Sequence, residues 1–111
     1  MTRFAPLPPP PYYAVIFSSQ RGEEDRGYGE MAARLEELAE KQSGFLGMET
    51  TRDQQGFGIT VSYWKDEESI LSWKGEATHL LAQKLGKTRW YEHYRLRIAR
   101  VERAYGGPEG R

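Results

Sequence analysis

The sequence predicts an α+β domain with the element order β-α-β-β-α-β around a four-stranded antiparallel sheet. Three observations carry this. Tyr12 to Ser19 and Gly58 to Trp64 alternate side-chain character with a period of two and are rich in β-branched and aromatic residues. Tyr28 to Gln42 changes to a spacing of three and four. Asp66-Glu67-Glu68 then reads as a helix start, with a capping carboxylate and two negative charges at the positive end of the helix dipole.

In chain order, the first eleven residues hold five of the six prolines. Pro8 to Pro11 should be extended and unable to join a sheet interior. Residues 1–11 are therefore read as an arm, either lying on the surface or crossing onto a partner subunit. Residues 12–105 form the domain, and 106–111 a frayed tail. In the first strand Tyr13, Val15 and Phe17 face one way and Ala14, Ile16 and Ser18 the other. Both sets are largely apolar, so the strand is covered on both sides. Gln20 to Gly27 is polar and reads as a loop. The first helix turns Tyr28, Met31, Leu35 and Leu38 inward and ends at Ser43-Gly44. Phe45 to Arg52, the connector Asp53 to Gly56, and Gly58 to Trp64 form a hairpin. The helix from Asp66 is expected to break at Gly75, with a second piece from Glu76 to Leu85 closed by Gly86.

The last segment, Arg89 to Tyr105, carries both periods. Tyr91, Tyr94, Ile98, Val101 and Tyr105 have helical spacing. Tyr94, Leu96 and Ile98 against Arg95 and Arg97 have strand spacing. A strand completes the split β-α-β pair, with a bulge near Ala99 to keep Val101 inside. The result is a ferredoxin-like arrangement. Helices cover one face of such a sheet. The other face would carry aromatic and aliphatic side chains, Tyr94 and Ile98 among them, and a homodimer packed sheet against sheet would cover it.

Composition bounds the function. The chain has 111 residues, which suits one domain; 29% are charged and 38% hydrophobic, fitting a soluble globular protein. Sixteen basic and sixteen acidic side chains cancel. With no net positive charge and no glycine–aromatic RNA motif, nucleic acid is not an expected partner. No apolar run approaches a membrane span, and the N-terminus is not a secretory signal, so a cytoplasmic protein is expected. Cysteine is absent, which excludes disulfides and thiolate metal sites. No carboxylate stands at ligand spacing to His79, and His93 lies on another element, so no metal is expected. Phosphate loops, serine triads and paired catalytic carboxylates are not discernible.

The frame Gly44-Phe45-Leu46-Gly47, Gly58 to Trp64, Ile70, Trp73, His79 and Trp90-Tyr91 resembles the antibiotic biosynthesis monooxygenase domain family over about residues 12 to 105. The resemblance implies a dimeric α+β barrel of two ferredoxin-like subunits. It also implies either cofactor-independent oxygenation of electron-rich aromatic compounds or haem degradation. The haem-degrading branch uses a strand Asn, a helix Trp and a helix His. Here Tyr12 to Ser19 contains no Asn, and Trp73 and His79 stand closer together than in that branch. The expectation is therefore a cofactor-independent monooxygenase, with no bound cofactor, acting on a small aromatic or hydrophobic molecule between sheet and helices. A non-catalytic dimeric ligand-binding or stress-related module is the alternative.

His79 is the candidate base, because an unperturbed imidazole exchanges its proton near neutral pH. It equally suits packing against the hairpin. Trp64 and Trp73 are candidate walls for a planar ligand, or simple core. Tyr63 is a candidate hydroxyl donor, or a buried strand residue. Trp90 and Tyr91 read as dimer or core packing. Arg95, Arg97, Arg100 and Arg103 read as a solvated basic face. Trp64, Trp73 and His79 are expected to converge on one cavity.

Overall fold

The computed structural model describes residues 3–22, 28–85 and 91–108. The elements are β1 (Tyr12–Arg21), α1 (Tyr28–Glu40), β2 (Phe45–Arg52), β3 (Phe57–Trp64), α2 (Glu67–Leu85) and β4 (Tyr91–Val101). All pairings are antiparallel and the sheet order is β2-β3-β1-β4. The ferredoxin-like order expected from the sequence is present. Gly86 and Trp90 lie outside the described residues.

Register fixes the two faces. Val15 stands opposite Ser62 on one side and Ile98 on the other, and Tyr13 stands opposite Trp64. Cross-strand partners share a face. Val15 and Trp64 form the buried core with Ala39 of α1 and Ile70 of α2, so this is the helix-covered face. Tyr12, Ala14, Ile16, Val61 and Tyr63 belong to the second face.

The ambiguous last segment is a strand because β1 needs a partner for its outer row of backbone groups. β4 supplies it in unbroken register from Val101 opposite Tyr12 to His93 opposite Gln20. Two expectations are corrected here. No bulge occurs near Ala99; the register shift lies at Gln20/Arg21. Val101 stays in phase because its face, beside Tyr12, is itself apolar. Tyr94 and Ile98 do not lie on the second face either. Their partners Ser19 and Val15 put them on the helix side.

The break expected at Gly75 is also absent, and α2 runs continuously. A Cβ at Gly75 would meet nothing within 4 Å. An exposed helix glycine costs only about 1 kcal/mol, and the buried Ile70 and Ala77 on either side offset it. The start of α2 is as read: the Ser69 N–H donates to Asp66 Oδ1 at 2.8 Å. The Ser69 hydroxyl and then this N–H, both donating to it, hold the Asp66 carboxyl below its usual range, so the cap acts at neutral pH and fades in acid as the carboxyl protonates. Asp66→Ala should lower the melting temperature at pH 7, while Asp66→Asn, which keeps an acceptor, should restore most of it. Equal melting of all three proteins would show that the cap contributes nothing.

Gly44 lets the α1–β2 turn touch this helix start. A Cβ there would lie 1.9 Å from Ser69 Oγ, and its carbonyl accepts the Lys65 N–H at 2.8 Å. The β2–β3 turn closes on Gly56, whose φ of 89° suits glycine. There Asp53 Oδ1 accepts the N–H groups of Gln55 and Phe57 at 2.9 and 3.0 Å.

The arm lies on its own sheet. Ala5 N–H donates to Glu49 Oε2 at 2.9 Å. Gly47 has no side chain to hold the arm away; a Cβ there would lie 2.9 Å from that of Ala5.

Candidate functional site

Trp64 closes β3 on the helix-covered face and is fully buried. Its ring meets Phe45 edge-on at 5.4 Å and lies tilted against Trp73 at 5.6 Å. The indole N–H donates to Ser62 Oγ at 2.9 Å, which satisfies a buried donor and a buried hydroxyl together. Trp64 is thus packed core. Trp73 is only partly buried. Its indole nitrogen is nevertheless buried with no hydrogen-bond partner among the described residues.

His79 does not join them. It follows Ile70 by about two and a half turns of a continuous helix, which places it opposite the buried edge. It lies exposed in a groove of about 600 Å³ between the helices, with Arg34, Glu37, Lys41 and Glu76. Only an interrupted helix would have turned it toward the tryptophans.

Tyr63 lies on the other side of the sheet. Its hydroxyl donates to Glu49 Oε1 at 2.7 Å, and its ring meets Tyr12 edge-on at 5.7 Å. Burial, then the hydrogen bond to Glu49 and the Glu49 charge, push its phenol up to about 12. The three residues expected to converge therefore divide between the core and the inter-helix groove, and Tyr63, the candidate donor, lies on the second face.

The structure brings together a different set. Tyr94, Leu96 and Ile98 line up along β4 on the helix-covered face, yet are 59%, 36% and 44% exposed. Phe17 of β1 joins them, its ring 5.7 Å from that of Tyr94. The four form an apolar stripe beside the core, and the two meet at Val15, which pairs with Ile98 and packs in the Trp64 cluster. The sequence held the signal. Tyr94, Leu96 and Ile98 alternate in step with Val15 and Phe17, but only the register assigns that stripe to a face.

From Tyr13 to Phe17 and from Tyr94 to Arg100, the titratable side chains of the helix-covered face are Tyr13, Tyr94 and Arg100. The two strands thus contribute apolar surface, two phenols and one cation to this face. Among the described residues no three His, Cys, Asp or Glu side chains cluster to hold a metal. No described helix is long and apolar enough to cross a membrane.

Comparison with known proteins agrees with this architecture. The model of a family described as antibiotic biosynthesis monooxygenase matches residues 11–85. An uncharacterized protein, YqjZ of Bacillus subtilis, is 51% identical over 96 residues, covering 86% of this chain and 84% of the relative. The jasmonate monooxygenase ABM of Pyricularia oryzae is 39% identical over 46 residues, only 41% of this chain and 21% of that protein. Among solved structures, SnoaB, a cofactor-independent oxygenase from Streptomyces nogalater, superimposes with a TM-score of 0.63. That match covers 90% of this chain and all of the other (100%) at 12% identity, a likeness of fold.

Proposed function

Because the chain belongs to the antibiotic biosynthesis monooxygenase family, we propose that it oxygenates a small electron-rich aromatic compound held between the sheet and the helices. The observation that carries the reading is the exposed apolar stripe of Tyr94, Leu96 and Ile98, with Phe17 beside it, on the face where the helices pack. Partly exposed apolar side chains beside a packed aromatic core suit a flat hydrophobic ligand. The indole N–H of Trp73, buried against Trp64 with no partner among the described residues, would be a donor for a ligand oxygen that reached that cluster. Leaving such a donor buried without a partner costs about 1–3 kcal/mol, which an incoming acceptor would recover.

The chemistry needs an acidic substrate. An anthrone-like compound that loses a proton from its reactive methylene becomes an electron donor to dioxygen. One oxygen atom stays as the new carbonyl, and the other leaves as water with the two methylene hydrogens. The Arg100 cation at the stripe favours the anionic form of the substrate. His79, in the outer groove, is given no part in this reading. The protein would act as a two-fold dimer through its second face, where Phe57 and Ile59 are 46% and 38% exposed.

The test is oxygen consumption with an anthrone, alongside quenching of tryptophan fluorescence on binding. Saturable uptake with quenching is expected, and His79→Ala should leave uptake per folded molecule unchanged. Binding without uptake would favour the non-catalytic ligand-binding module, and neither would remove the stripe as a site.

A further inference from the structure

The arm covers part of the face through which a second copy would dock. Tyr12 and Ala14 of β1 are each 4% exposed on that face, and Gly47 is buried there. Farther along, Ile16 and Val61 are half-buried and Ile59 and Phe57 are exposed. Register runs these residues into one stripe: Ala14 opposite Tyr63, Ile16 opposite Val61, Ser18 opposite Ile59, Gln20 opposite Phe57. The arm lies at the Tyr12 end of it.

The seat of the arm is shaped for it. Gly47 leaves the space that Ala5 and Leu7 occupy; a Cβ at Gly47 would lie 2.9 Å from Ala5 Cβ and 3.5 Å from Leu7 Cδ2. The Glu49 carboxylate is shared, Oε1 taking the Tyr63 hydroxyl from the sheet and Oε2 the Ala5 N–H from the arm. The proline run that follows is stiff and leads straight into Tyr12, so the arm begins close to its seat. The hold is nonetheless slight. Ala5 and Leu7 are half-buried while Phe4, Pro6, Pro8 and Pro9 are exposed.

We propose that this arm is a displaceable strap that competes with a second copy of the chain for the second face of the sheet. With the strap seated, a partner meets only the Ile16–Phe57 end of the stripe. With the strap withdrawn, Tyr12, Ala14, Gly47 and Tyr63 extend the same apolar surface, and association tightens because more of it leaves water. The strap thus sets the concentration at which the dimer forms. This rests on the dimer proposed above.

Sedimentation of the full chain, of a chain lacking residues 1–7, and of the full-length Leu7→Asp variant tests it. The deletion and Leu7→Asp should each lower the dimer Kd by about tenfold or more. A peptide of residues 1–11 added to the shortened chain should raise it again. Circular dichroism checks that each variant is folded, and hydrogen exchange at Ala5 in the full-length proteins reports whether the strap is seated. A dimer whose Kd is unchanged or weakened by the deletion overturns the strap while leaving the dimer standing. Failure of every form to associate overturns both, while protection of the Ala5 amide would still report a seated arm.

Discussion

Truncation of Trp64 to alanine should cost the fold about 3–5 kcal/mol, the usual scale for removing a buried large aromatic side chain. A small domain has only about 5–15 kcal/mol to lose, so the variant should be marginal at best. The ring is fully buried and touches Phe45, Trp73 and, through its N–H, Ser62. Alanine would leave a cavity lined by aromatic rings and strand the Ser62 hydroxyl. Trp64→Phe should fall well short of that loss, since it keeps most of the volume. Urea unfolding measures both. If alanine cost less than about 1 kcal/mol, the site would be collapsible or wet, and Trp64 would again be a candidate pocket wall.

Leu96→Asp should leave the free protein folded and weaken binding of an aromatic ligand by about 100-fold or more. Leu96 stands between Tyr94 and Ile98 and opposite Phe17, and at 36% exposure its replacement stays hydrated in the free protein. A flat ligand laid over it would have to strip water from a carboxylate without offering a partner, a cost of several kcal/mol. A 100-fold loss corresponds to about 2.7 kcal/mol, so the effect should be plain in a fluorescence titration. Arg97→Gln changes charge at the neighbouring position on the opposite face and should leave affinity alone. Equal binding by Leu96→Asp and the parent would place the ligand elsewhere.

The fold was largely legible because its signals are local. Asp66 ahead of Glu67 and Glu68 marks a helix start whatever packs around it, and Asp53 to Gly56 marks a turn. The last strand was harder. Tyr94, Leu96 and Ile98 announce a two-residue period, but nothing local says which neighbour they pair with, so their face could not be assigned. Once the register with β1 is known, the stripe moves from the second face to the helix side, and a supposed dimer contact becomes part of the helix-covered face. The candidate site failed to assemble for a related reason. The direction of His79 hangs on whether α2 survives Gly75, and that balance is set by the burial of Ile70 and Ala77, a tertiary quantity. Tyr63 sits next to Trp64 in sequence, and a strand sends neighbours to opposite faces. Tyr63 and Trp64 therefore cannot line one pocket.

β4 forms one border of the sheet, and its outer row of backbone N–H and C=O groups has no neighbouring strand in the order β2-β3-β1-β4. Such a border can template the addition of foreign strands. Here no proline interrupts the eleven residues of Tyr91–Val101. The guard is electrical: Arg95, Arg97 and Arg100 are all exposed along it. Repulsion between such cations reaches only about 10 Å at 0.1 M salt and about 3 Å at 1 M. Colloidal stability of this protein therefore depends on ionic strength more than that of a chain whose border strand is blocked by shape.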